Sequence, residues 1–285
     1  MSELYPLLMS PEFHERVWGS RNLAPIFDRR LGADESPVGE VWLTGDACKV
    51  ANGPLQGKSL QQLSEQLGEK LIGSRASARR FPLLIKFLFP QEKLSVQVHP
   101  DDDGAKQIGQ PCGKTECWYV LKADPGAQVG LGLAPGTTRE HLRKAIQETR
   151  AEKLLNWIDL HAGDLIYVDA GTVHAIGPGS VIVETQQNSD TTYRLYDYGR
   201  PRELHIENGI NATKEKTRAG KVTSEPLSNG DLRLVSSPCF EIQKWTLEKP
   251  RTLETSVHLW DRGVRKGGRA LSVKISRPPS GQVMN

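Results

Sequence analysis

A chain of 285 residues with 37% hydrophobic and 25% charged side chains can build a sizeable core, so a chain that stays unfolded is set aside. No apolar run nears the roughly 20 residues of a membrane-spanning helix, and no membrane partner is expected. The net charge of +3 is uneven: from Leu259 to Asn285 six Lys/Arg face one acid, leaving −2 on the rest, and a weakly acidic body lacks the basic face that nucleic-acid binding needs.

The start, "MSELYPLLMSPEF", has neither a basic nor a long apolar segment of the secretory kind. Cys48, Cys112, Cys117 and Cys239 form no CxxC pair. Reduced thiols in a cytoplasmic protein are therefore expected.

In chain order, "SLQQLSEQLGEKLIG" predicts a helix near 59–73, with Ser59 and Gln62 as a capping box and Leu60, Leu63, Leu67 and Leu71 at helical spacing. Strands are predicted at 82–90, 93–100 and 116–123, rich in β-branched and aromatic residues. A second helical insertion is predicted near 137–158, opened by Thr137 and Glu140. Strands at 164–170 and 180–187 follow. The fold class is all-β with helical insertions, as a barrel or a sandwich. The end, "RGVRKGGRALSVKISRPPSGQVMN", is charged and carries late prolines, so 259–285 is expected to be a disordered basic tail.

Four groups of polar residues interrupt the apolar strands. Ser95, Gln97 and His99 share one face of "KLSVQVHPDD", because strand side chains repeat every two residues. Lys114 and Glu116 share a face at the start of the next strand, and "DAGTVHAIG" delivers His174 from a Gly-rich turn. The last group, "ETQQNSDTTYRLYDYGR", holds Glu184, Arg194 and Arg200. Lys86 in "LLIKFLF" is expensive to bury unless it faces a wet cavity. Singly these are ordinary residues: a lone strand histidine is more often hydrogen-bonded structure, and a glutamate at a strand start is usually solvated. Together, two imidazoles, a carboxylate and an amide oxygen would suit one divalent ion. Zinc is the first expectation, since imidazole nitrogen suits it. A neutral Gln would leave the ion more Lewis acidity for a substrate oxygen.

Taken in order, these segments resemble the cupin superfamily and, within it, the type I phosphomannose isomerases. "GDLIYVDAGTVHAIG" is similar to the second cupin motif, with Asp169 where the general pattern has proline. Gln97 stands where most cupins have their first histidine, a mark of this isomerase family. "PLLIKFLFPQEKLSVQVHPDD", "GKTECWYVL" and "VETQQNSDTTYRLYDYGR" look like the family's own blocks, over roughly residues 10 to 215. The resemblance implies a cupin jelly-roll barrel holding one zinc ion per chain on Gln97, His99, Glu116 and His174.

It also implies the reaction, interconversion of mannose 6-phosphate and fructose 6-phosphate through a cis-enediol(ate). Such an exchange needs a base that moves a proton between C1 and C2. It also needs a cation for the growing oxyanion and a pocket that fixes the phosphate. By the resemblance Arg194 is the catalytic arginine, and Arg200 is a phosphate contact beside Ser95 and Lys86. Glu184 and Lys114 are equal candidates for the proton carrier. A small sugar-phosphate partner, a monomer and a place in carbohydrate metabolism are expected, whether in mannose breakdown or GDP-mannose biosynthesis.

The family carries a second, smaller barrel after the first. "SSPCFEIQKWTLEK" looks like its opening strand, but from about His258 the resemblance stops. The expected domains are a catalytic cupin over 1–215, a partial second cupin half over 216–258, truncated or altered at its end, and the tail. A non-catalytic cupin that binds sugar or metal, and an iron-dependent cupin oxygenase, are the competing readings. Lys114, Glu184, Arg194 and Arg200 disfavour the first, and Gln97 speaks against the second.

Overall fold

The structure, a computed structural model, describes residues 5–72, 80–246, 258–261 and 269–274. The first strands are β1 (Glu12–Ser20), β2 (Val38–Trp42), β3 (Leu83–Leu88), β4 (Val96–Val98), β5 (Glu116–Ala123) and β6 (Gln128–Leu133). Next come β7 (Leu155–Asp159), β8 (Leu165–Val168), β9 (His174–Ile176), β10 (Ser180–Gln187), β11 (Tyr193–Tyr196) and β12 (Gly220–Lys221). The last are β13 (Glu225–Pro226), β14 (Leu232–Ser236), β15 (Glu241–Thr246), β16 (His258–Asp261) and β17 (Arg269–Lys274). Helices α1 (Leu60–Leu67), α2 (Glu69–Ile72), α3 (Asp102–Gln107), α4 (Arg139–Gln147) and α5 (Ile206–Ala212) punctuate them. No helix among the described residues is long and apolar enough to cross a membrane.

Three antiparallel sheets result, ordered β1-β2-β3-β10-β5-β8-β12, β11-β4-β9-β6-β7 and β13-β14-β15-β17-β16. The first two face each other. Leu88, Trp118, Val120, Ile166 and Ile182 of the seven-stranded sheet share a core with Val129, Leu131 and Ile176 of the five-stranded one. The outer face of the five-stranded sheet buries Val96, Val98, Val173 and Leu195 against Leu142 and Ile146 of α4 and Ile210 of α5. The outer face of the seven-stranded sheet buries Leu83, Ile85, Phe87 and Val183 against Leu234, Val235, Phe240 and Ile242. This layering explains why all six residues of β3 are buried: a strand covered on both faces needs no polar alternation, and its one charge must point into a polar interior.

The helix α1 forms as its sequence predicts, with the Ser59–Gln62 capping box in place. The second insertion is shorter than 137–158. Its cap is Thr138, whose hydroxyl accepts from the His141 N–H at 3.3 Å, one residue beyond the expected Thr137 and Glu140. Helix ends at Gln147, and Leu155–Asp159 pairs instead with β6 as strand β7. Of 259–285, expected to be a disordered basic tail, all but 259–261 and 269–274 lies outside the described residues. Residues 259–261 belong to β16, and 269–274 form β17, paired with β15 from Glu241↔Lys274 to Thr246↔Arg269. Leu271 and Val273 alternate with small residues there, a short signal hidden among flanking charges.

Candidate metal centre and active site

Register places the site. Residues directly opposite in an antiparallel pair present their side chains on the same face. On the five-stranded sheet Gln97 lies opposite both Arg194 and His174. On the seven-stranded sheet Glu184 lies opposite both Lys86 and Trp118, and Glu116 sits one inward step away on β5, opposite Gln186. The two rows belong to the facing sheets.

The loops that bring them together are tightly tied. Asp101 caps α3 through the Gly104 N–H at 3.0 Å and pairs with Lys214 at 2.8 Å. Asp102 accepts from the Gly113 N–H at 2.7 Å and from Gln187 at 2.9 Å. The carboxylates after His99 are thus clamps between the ligand-bearing segments. Gly171 donates its N–H to the His99 carbonyl at 2.9 Å, joining the two histidine segments directly. Its φ of +92° and a position where a Cβ would lie 2.7 Å from Lys214 make glycine the fitting residue.

His99, Glu116 and His174, all buried, bring one ligand atom each within 4.8 Å of the others. Glu116 Oε1 is 3.0 Å from His99 Nε2 and Oε2 is 3.8 Å from His174 Nε2. His99 Nδ1 contacts the Thr191 carbonyl and His174 Nδ1 the Thr172 carbonyl, both at 2.9 Å. A carbonyl can only accept, so each Nδ1 carries the proton and each Nε2 offers a lone pair inward. Burial and the Lys114 charge push His99 down to about 3, and burial lowers His174, so both rings are neutral. Gln97 approaches His174 Nε2 at 3.2 Å through its amide and takes a hydrogen bond from Ser95 at 3.2 Å. Burial pushes the Glu116 carboxyl up, yet the Lys114 ammonium beside it holds it well below its ordinary range. Glu116 Oε1 is buried without a well-aligned hydrogen bond. Two neutral imidazoles and an ionised carboxylate are the donor set of a candidate divalent-metal site, with the Gln97 amide beside them.

A second group of charges adjoins this one. Lys114 Nζ is 2.8 Å from Glu116, 3.3 Å from His99 Nε2 and 3.9 Å from Glu184 Oε1. Lys86 Nζ lies 3.5 Å from Glu184 Oε2 and 3.6 Å from Glu40 Oε2. Burial, then the charge of Glu116, push Glu184 up to about 8 against the two ammonium groups. A carboxyl with that value exchanges protons near neutral pH.

Arg194 is half-buried, donates to the Glu203 carbonyl at 2.8 Å, and its Nε meets no acceptor among the described residues. Arg200 is engaged elsewhere: it binds Asp197 at 3.1 Å, Glu92 at 3.1 Å and the Lys93 carbonyl at 2.9 Å. The structure therefore unites Gln97, His99, Glu116, His174, Lys114, Glu184, Lys86 and Ser95, and ties Arg200 to neighbouring acids. Sequence reasoning missed Glu40, Arg16, Trp42 and Trp118, which donates to Glu116 at 3.1 Å. The available signal was Glu40 and Trp42 on one face of "GEVW".

Residues 7–124 match the model of the phosphomannose isomerase type I catalytic domain. Mannose-6-phosphate isomerase of Streptococcus mutans is 39% identical over 255 residues, 85% of this chain and 79% of that protein. The chain belongs to the type I phosphomannose isomerase family. Mannose-6-phosphate isomerase ManA of Bacillus subtilis is 36% identical, over 87% of this chain and 82% of its own. The crystal structure of the mannose 6-phosphate isomerase from Bacillus subtilis superposes with a TM-score of 0.80 at 29% identity, covering 95% of this chain and 97% of that one. A variant of phosphomannose isomerase from Salmonella typhimurium, 15% identical, shares the fold at a TM-score of 0.72 over 94% of each chain. Within this type I family fold, the cupin-type barrel puts the candidate metal-ligating group between its two sheets.

Proposed function

We propose that the chain interconverts mannose 6-phosphate and fructose 6-phosphate through a cis-enediol(ate), with one zinc ion on Gln97, His99, Glu116 and His174. The observation that carries this is the meeting of His99, Glu116 and His174 beside a carboxyl, Glu184, flanked by two ammonium groups. A bound ion would supply Lewis acidity toward the sugar's O1 and O2. Everything else is work for side chains. Glu184, as the carboxylate, takes the proton from C2 of the aldose, and the electron pair of that C–H bond forms the C1=C2 double bond. The proton returns to C1, while the O2 hydroxyl proton is lost and O1 gains one, leaving the ketone at C2. Lys114 balances charge on the oxygens, and remains the alternative carrier.

Lys86 and Ser95 bind the substrate's polar end, and Arg194, permanently charged, stabilises the enediolate or holds phosphate. Arg200 commits three of its five N–H donors to Asp197, Glu92 and the Lys93 carbonyl, which leaves two for phosphate. The ligand and carrier positions all lie within 1–215, which supports that stretch as the catalytic unit. A coupled assay for fructose 6-phosphate made from mannose 6-phosphate, with zinc measured on the same sample, tests the reading. Turnover with about one zinc per chain is expected, and a folded protein that shows neither sinks it.

A further inference from the structure

Glu40 stands outside the metal group and outside the proton-carrying group, yet it is buried and meets three partners. Arg16 grips it with two donors, Nε at 3.1 Å from Oε1 and Nη2 at 3.2 Å from Oε2. The Trp42 indole donates to Oε2 at 2.7 Å, and Lys86 Nζ lies 3.6 Å from the same oxygen. Trp42 in turn places its ring 5.9 Å from the Lys86 ammonium and packs at a tilt against His14, with centroids 4.2 Å apart. A buried lysine with four rotatable bonds needs such anchors to hold one position. Lys86 has two, Glu184 and Glu40.

We infer that Glu40 is a positioning residue: clamped by Arg16 and Trp42, it holds the Lys86 ammonium beside Glu184, where the substrate is bound. The inference deepens the isomerase reading and rests on it for the substrate. Without Glu40, Glu184 draws Lys86 alone, Arg16 loses its carboxylate partner, and the Trp42 ring loses its hydrogen bond.

The test is a cycle of Glu40→Gln, Lys86→Gln and the double variant, each zinc-loaded and assayed on mannose 6-phosphate. We expect Glu40→Gln to lower kcat/KM roughly tenfold, the scale of one charge-assisted contact. Lys86→Gln lowers it further, and the double variant matches Lys86→Gln within about twofold, because Glu40 acts through Lys86. Independent losses that multiply in the double variant overturn the inference, since a merely structural carboxylate behaves that way. A crystal structure of Glu40→Gln gives a readout free of activity: Lys86 Nζ displaced from its place between Glu40 and Glu184 supports the inference, and an unmoved ammonium overturns it. If the wild-type protein does not isomerise the sugar, the isomerase reading fails, and that crystal structure still decides the placement of Lys86. Should Glu40→Gln not fold, Arg16→Gln removes the outer clamp at a partly exposed residue. Its smaller loss, about threefold, must likewise vanish in the Lys86→Gln background, or the inference is wrong.

Discussion

Glu184 and Glu40 show how one fold assigns opposite states to two buried carboxyls. Burial raises both, and Glu116 adds repulsion at Glu184, whereas Lys86, Arg16 and the Trp42 indole hold Glu40 at about 2. Glu184 can therefore take and give a proton near neutrality, and Glu40 stays a fixed charge. Glu184→Gln is expected to slow solvent exchange at C2 by about 10²-fold or more with the fold intact by circular dichroism. If Lys114→Met removes exchange and Glu184→Gln does not, the carrier is Lys114. Glu40 gives a stability signature of definite sign. Its folded value lies below the unfolded 4.5, so its contribution is present above 4.5 and is lost as pH falls toward about 2. The amount is on the order of 3 kcal/mol. Denaturant titrations between pH 5 and pH 2.5 should show a steeper acid loss in the wild type than in Glu40→Gln, and parallel curves would contradict the assignment.

Strands explain what could be read before any coordinates. Gln97 and His99 were legible because they break an otherwise apolar strand at a period of two, and His174 because a Gly-rich turn delivers it. Glu40 was not, because a carboxylate in "GEVW" reads as a solvated strand face until β2 is paired with β3 and Lys86 is brought beside it. The helix predicted through residue 158 failed where Leu155–Asp159 found a partner in β6, a long-range pairing that local periodicity cannot register. The third sheet is joined to the barrel by apolar contact as well as by Lys244, which donates to the Tyr119 hydroxyl at 3.1 Å. Phe240, fully buried behind β3 and β10, is its central anchor. Phe240→Ala should cost about 3–5 kcal/mol in urea unfolding while metal affinity changes little. A stability change below about 1 kcal/mol would mean that the third sheet does not brace the barrel.

At the scale of the whole molecule, the facing sheets form a barrel whose interior is apolar at one end and densely charged at the other. The apolar part holds Val120, Val129 and Ile176, the charged part holds Lys86, Lys114, Glu116 and Glu184, and Trp118 lies between them. That division lets a folded protein keep buried carboxylates such as Glu116 and Glu184, compensated by Lys114 and Lys86, where the proposed ion and sugar would join them. The type I phosphomannose isomerase membership places this arrangement among enzymes, and the proposed mechanism turns on a metal at His99, Glu116 and His174. The most direct measurement is a zinc titration of chelator-stripped protein while fructose 6-phosphate formation is followed. Activity should rise from near zero in proportion to added zinc and level off at one equivalent, and His99→Ala should abolish the rise. Full turnover in the stripped protein, or an unchanged titration in His99→Ala, would contradict the account.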